Sequence, residues 1–163
     1  MTPARRRILG IDPGSRRTGY GIIDVRGNAM TPVAWGVIRT DASGSFPDRL
    51  HLIHRELTGI ILLHRPTDAA VENVFLAKNA ASALKLGQAR GAAIVTCRAN
   101  GIPVHEYSAK EIKTAATGYG AASKEQVAGM VRRLLGIREE IPADASDALA
   151  MAFCRAVTRD IVG

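Results

Sequence analysis

Cysteine is nearly absent: Cys97 and Cys154 are the only two in 163 residues. Two are too few for a disulfide framework, and no CxxC spacing offers a structural zinc site. His51, His54, His64 and His105 fall at no ligand spacing with the acidic residues, so they are assigned to packing and surface. No run approaches the ~20 apolar residues of a bilayer span, and Met1-Thr2-Pro3-Ala4-Arg5-Arg6-Arg7 leads into a strand-like run rather than a signal-peptide core. A cytoplasmic protein without a membrane partner is expected. Repeats, low-complexity tracts and linkers are missing too, so residues 1–163 read as one domain.

Acidic residues are also in short supply. Twenty-two Lys and Arg against fifteen Asp and Glu leave a net charge of +7. That surplus on a small domain favours a polyanion, nucleic acid first, although a merely solvated basic surface has the same composition. With 47% hydrophobic and 23% charged residues the chain is globular rather than disordered or fibrous.

The hydrophobic pattern begins with period two. Arg7 to Asp12, Thr18 to Val25 and Pro32 to Thr40 read as an antiparallel meander, separated by Pro13-Gly14 and Gly27-Asn28 turns. From Phe46 the period becomes helical: Leu50, Ile53, Leu57 and Ile61 share a face, with Ser45, Pro47 and Asp48 as start signals. Asp68 to Val74 reads as a strand carrying one buried-looking charge, Glu72. Asn79 caps an Ala-rich helix that stops at Asn100-Gly101, and Ile102 to Tyr107 reads as an edge strand because Pro103 cannot donate to a ladder. Ser108 with Glu111, and Ser123 with Gln126, open two further helices, and a last helix runs from about Pro142 to the end. This order predicts an α/β fold, a mixed sheet with helices on both faces, with chemistry at the carboxyl ends of its parallel strands.

Four acids stand in unsuitable company. Asp12 ends the first strand, where Pro13 keeps it extended; it either caps its own turn or meets a cation. Glu72 lies among apolar neighbours and calls for a partner, an arginine or a metal. Asp144 and Asp147, at i and i+3, share a helix face, where the helix dipole alone could also favour them. Divalent cations answer all four together. Hard oxygen donors without Cys or His suit Mg²⁺ or Mn²⁺, and a basic surface around such a pocket suits phosphodiester cleavage by two ions. Ala83, Gly87 and Gly91, four residues apart, permit close approach of either a second subunit or the sheet beneath.

The runs Ile8-Leu9-Gly10-Ile11-Asp12-Pro13-Gly14-Ser15 with Thr18-Gly19-Tyr20-Gly21, Glu72-Asn73-Val74-Phe75 with Ala77-Lys78-Asn79, Ser82 to Gly91, and Ala143 to Ala150 together resemble the RuvC family of Holliday junction resolvases over essentially the whole chain. The resemblance implies an RNase H-like fold of five strands in the order 3-2-1-4-5. It also implies a homodimer that nicks two like-polarity strands of four-way junction DNA symmetrically, in recombination and repair, with Mg²⁺ and alongside RuvA and RuvB. Carried over, Asp12, Glu72, Asp144 and Asp147 are the metal-binding acids, Lys113 and Lys124 the basic residues beside them, and Phe75 an aromatic that stacks on an unpaired base. Lys78 joins the DNA-binding set. For Phe75 a core position stays open, and for Lys124 a solvated helix start. An actin-like or sugar-kinase-like phosphotransferase would share the Asp12-Pro13-Gly14 turn but needs two such domains. A passive junction binder would gain nothing from four acids.

Overall fold

The computed structural model describes residues 2–40, 44–73 and 79–158. The elements are β1 (Arg6–Asp12), β2 (Arg17–Arg26), β3 (Ala29–Arg39), α1 (Phe46–His64), β4 (Asp68–Glu72), α2 (Ala80–Ala99), β5 (Val104–Tyr107), α3 (Ala109–Thr117), α4 (Lys124–Leu134) and α5 (Ala143–Val157). The sheet order is β3-β2-β1-β4-β5, antiparallel through the meander and parallel from β1 to β4 to β5. One core lies between the sheet and α3, α4 and α5, the other beneath α1 and α2. No helix among the described residues is long and apolar enough to cross a membrane.

Local chemistry sets the helix starts. Ser45 with Asp48, Ser108 with Glu111 and Ser123 with Gln126 all close reciprocal capping boxes. Pro32 sits inside β3, which begins at Ala29, earlier than expected; as an edge strand β3 can host it, beside a register shift opposite Ile22 and Ile23. Pro103 precedes β5 rather than lying within it, and its carbonyl accepts from the Ala69 N–H. β4 ends at Glu72, short of the expected Val74, which lies outside the described residues, and α5 ends at Val157.

Two expectations need correction or resolution. Asp68, not Glu72, is the most buried charge of β4, at 5% exposure. The small-residue face of α2 does not pack on the sheet, because a Cβ at Gly87 or Gly91 would meet open space. Small residues matter instead under α5. A methyl at Gly10 would lie 1.9 Å from the Ala148 carbonyl oxygen, and one at Gly19 2.0 Å from that of Asp144. Without side chains at these points the α5 backbone lies directly on β1 and β2, which lowers its first turns onto the end of the sheet.

Candidate active site

Strand pairing and that close approach gather the four acids. Asp12 ends β1 and Glu72 ends β4; the strands are parallel neighbours, with Ile11 opposite Val71. Alternation places both side chains on the face that α5 covers, as Ile8 and Ala70 of the same phase already lie in that core. Asp144 and Asp147 follow one turn apart on α5. All four are half-buried and line one cleft of ≈ 180 Å³ with Lys113 of α3 and Lys124 of α4. Such a cleft has room for several waters, small ions and a phosphate group.

The alternatives left open for these acids find little support. The β1–β2 turn is held by Thr18, whose hydroxyl donates to the Gly14 carbonyl at 3.0 Å and accepts from the Gly14 N–H at 3.3 Å. Among the described residues no hydrogen bond reaches the Asp12 carboxylate, so it does not cap its own turn. Among the described residues no arginine reaches the Glu72 carboxylate either. Arg90 of α2 donates to the Glu72 backbone carbonyl at 3.1 Å and pairs with Glu106. Asp144 does lie in the first turn of α5, where the dipole favours it, but Asp147 lies beyond that turn. Its partner is Lys124, whose Nζ stands 3.2 Å from Oδ2 at the rim of the cleft.

The electrostatics record four carboxylates facing two ammonium groups. Burial, and then the charges of Asp147 and Asp144, push the Asp12 carboxyl up to about 7, with Lys124 opposing. Burial likewise raises Glu72, with Lys124 opposing and Asp147 adding to the rise. The Lys124 ammonium is raised by the charge of Asp147 and by their hydrogen bond. Such a site is short of positive charge.

Among the described residues no three His, Cys, Asp or Glu side chains stand close enough to cage an ion alone. The oxygens of Asp and Glu, with no His or Cys among the cleft residues, are hard donors of the kind that Mg²⁺ and Mn²⁺ take. The thiols offer no alternative, since burial pushes Cys97 up to about 12 and Cys154 up to about 11. Phe75 and Lys78 lie outside the described residues. Sequence reasoning missed Arg90 as a brace on the end of β4; it stands in a quoted motif, but a contact over 18 residues leaves no local signal.

Comparison with known proteins converges on one family. The family model described as "Crossover junction endodeoxyribonuclease RuvC" matches residues 8–155. The chain is 56% identical over 158 residues to the crossover junction endodeoxyribonuclease RuvC of Coxiella burnetii (strain Dugway 5J108-111), covering 97% of this chain and 91% of that protein. It is 57% identical over 150 residues to that of Geobacter sulfurreducens, covering 92% of each. Among solved structures, T. thermophilus RuvC in complex with Holliday junction substrate superposes with a TM-score of 0.87 at 35% identity, over 93% of both chains. The yeast mitochondrial Holliday junction resolvase Ydc2, at 15% identity and a TM-score of 0.66 over 91% of this chain and 77% of that one, shares the fold. With the sheet order above, this is an RNase H-like fold, and the chain belongs to the RuvC family of crossover junction endodeoxyribonucleases.

Proposed function

We propose that the chain, as one nuclease domain, resolves Holliday junctions by metal-assisted hydrolysis in the acidic cleft. Asp12, Glu72, Asp144 and Asp147 hold divalent ions, Mg²⁺ with Mn²⁺ able to substitute, two to a site. When bound, the ions supply a clamp on the scissile phosphate, an attacking water of lowered pKa and positive charge at the leaving 3′ oxygen. The chain does the positioning. Asp12 and Glu72 are fixed on adjacent strand ends, Asp144 and Asp147 on one helix face, and Arg90 ties down the backbone beside Glu72. Lys124, which pairs with Asp147 in the structure, would face the cleaved phosphate when ions hold the acids. Lys113 attracts the same strand, and hydrolysis leaves 5′-phosphate and 3′-hydroxyl ends. Lys78 contacts the backbone nearby, and Phe75 stacks on a base freed at the branch point.

The carrying observation is the meeting of four carboxylates from three elements with two lysines in one cleft of a chain of net charge +7. A homodimer suits a substrate that offers two like-polarity strands, and symmetrical nicks follow from two equivalent sites. The compartment is the cytoplasm, with RuvA and RuvB as working partners.

The test is nicking of a synthetic four-way junction with and without Mg²⁺, parent beside Asp12→Asn, Glu72→Gln and Asp147→Asn. Paired nicks by the parent alone, only with metal, and unchanged or tighter junction binding by the variants are expected. A variant that nicks at the parental rate removes its residue from the scheme, and binding without nicks by the parent makes the chain a passive binder.

A further inference from the structure

A cationic pair at the other rim of the cleft has no part in that chemistry. Asp12, Gly19 and Val37 form one cross-strand row over β1, β2 and β3. Gly19 and Gly21 face α5, so this phase of β2 and its partners in β3 look toward the cleft side of the sheet. Two residues further on, Arg17 and Arg39 stand directly opposite each other. Both are exposed, and among the described residues neither has a carboxylate partner.

Like charges directly across a strand pair repel, and nothing in the fold requires them here. The frame beneath them is rigid. Thr40, fully buried, donates its hydroxyl to the Ser15 carbonyl at 2.6 Å and its N–H to the Arg16 carbonyl at 2.9 Å, tying the end of β3 to the start of β2. With ~4.8 Å between strands and ~3.3 Å per residue, Arg17 Cα lies about 8 Å and Arg39 Cα about 12 Å from that of Asp12. Along the same strand that is within a few nucleotides of the reacting phosphate. The lysines line the cleft from α3 and α4, and the arginines stand outside it, toward the β3 edge.

We propose that Arg17 and Arg39 together grip one backbone phosphate of the junction strand, within a few nucleotides of the scissile bond. The guanidinium forks converge on an anion, which relieves their repulsion and adds affinity without touching the reacting groups. The inference rests on the junction-resolving function proposed above and adds a specific contact to it.

Junction binding is measured against salt for Arg17→Gln, Arg39→Gln and the double variant, each in the Asp12→Asn background so that no strand is cut. The double variant is expected to bind about tenfold more weakly near 0.1 M salt and to lower the slope of log K against log salt by about one. Its Tm should match or exceed that of the Asp12→Asn parent, because a repulsive pair has gone. With Asp12 restored, the single-turnover rate at saturating junction should stay within about twofold of the parent. A neutral methylphosphonate scanned along the strand should weaken the parent at one position and leave the double variant indifferent there. Parent-like affinity and slope, or a slower chemical step at unchanged affinity, would overturn the grip. A parent that fails to bind or nick four-way junctions would instead overturn the junction reading itself, with the arginine comparison standing apart from it.

Discussion

Asp12 answers its position in one of two ways, by holding a proton or by facing a cation. Its carboxyl rises from 3.8 to about 7 on folding, so between those pH values the unfolded chain has released a proton that the folded chain keeps. Stability from this group is therefore intact below about pH 4, declines as pH rises to about 7, and stays reduced above. At about 1.4 kcal/mol per pKa unit the loss has a ceiling of about 4 kcal/mol. Asp12→Asn removes that penalty together with a metal ligand of the function proposed above. In metal-free buffer at pH 8 it should melt several degrees above the parent, with the difference vanishing near pH 4. Adding Mg²⁺ should raise the parent's Tm and leave the variant's unchanged. Calorimetry at the two pH values checks both, and a variant no more stable than the parent at pH 8 would mean that burial and the neighbouring acids do not disfavour the Asp12 charge. Lys124 complements this residue. Its ion pair with Asp147 is largely exposed, so Lys124→Ala should change stability by under about 1 kcal/mol. The same variant should slow single-turnover nicking, and equal rates would confine Lys124 to the surface.

At the scale of elements, three of the four acids ride on β4 and α5, and a buried cluster joins those two elements at their other ends. Arg155 of α5 donates to Asp68 of β4 at 2.7 Å, Arg6 of β1 adds a contact at 3.0 Å, and Thr67 another at 2.8 Å. Burial alone would raise the Asp68 carboxyl, but hydrogen bonds from Arg155, Thr67 and Arg6 outweigh it and hold it below its ordinary 3.8. The stabilisation is accordingly present above about pH 4 and is lost as pH falls through the lowered value. Removing one member of a buried pair costs about 3–5 kcal/mol when it leaves the other uncompensated; here Arg6 and Thr67 still hold Asp68 without Arg155, and Tyr107 still meets Arg155 without Asp68, so each loss falls below that range. Urea unfolding should thus show Arg155→Met and Asp68→Leu each destabilised and the double variant losing less than their sum; additive losses would contradict the pairing. None of this cluster was legible in the sequence. Asp68 reads as a strand start and Arg155 as one arginine among many, because a pair 87 residues apart has no local signature. What was legible is what local rules govern: Ser45, Ser108 and Ser123 with their partners three residues on, the strand order once the family was recognised, and the four acids, conspicuous against apolar neighbours. Gly10 and Gly19 were legible as motif letters only. Their reason is the α5 backbone pressed on them, a tertiary fact.

For the whole molecule, the charge layout is a positive body around a negative hole, and the two parts act on DNA in opposite senses. The body attracts backbone at long range, and the hole repels the phosphate it must cut until ions reverse its sign. On the function proposed above, and leaving Lys78 aside, Lys113, Lys124 and the Arg17–Arg39 pair would place about three phosphate contacts on each chain, and a two-fold dimer would double them. Releasing counterions from about six phosphates gives a slope near −5 in log K against log salt, so affinity for a four-way junction should fall about 10³-fold between 50 and 200 mM salt. The chemical step, made by groups inside the cleft, should not follow that slope. At saturating enzyme the nicking rate should change by under about threefold over the same range. Titrating labelled junction at four salt concentrations in the Asp12→Asn background, beside single-turnover cleavage by the parent, separates the two effects. A slope near zero would make the surplus of lysine and arginine a solvated surface. A rate that falls in step with affinity even at saturation would mean that the basic rim takes part in the chemistry, and that attraction and hydrolysis are not divided between body and cleft.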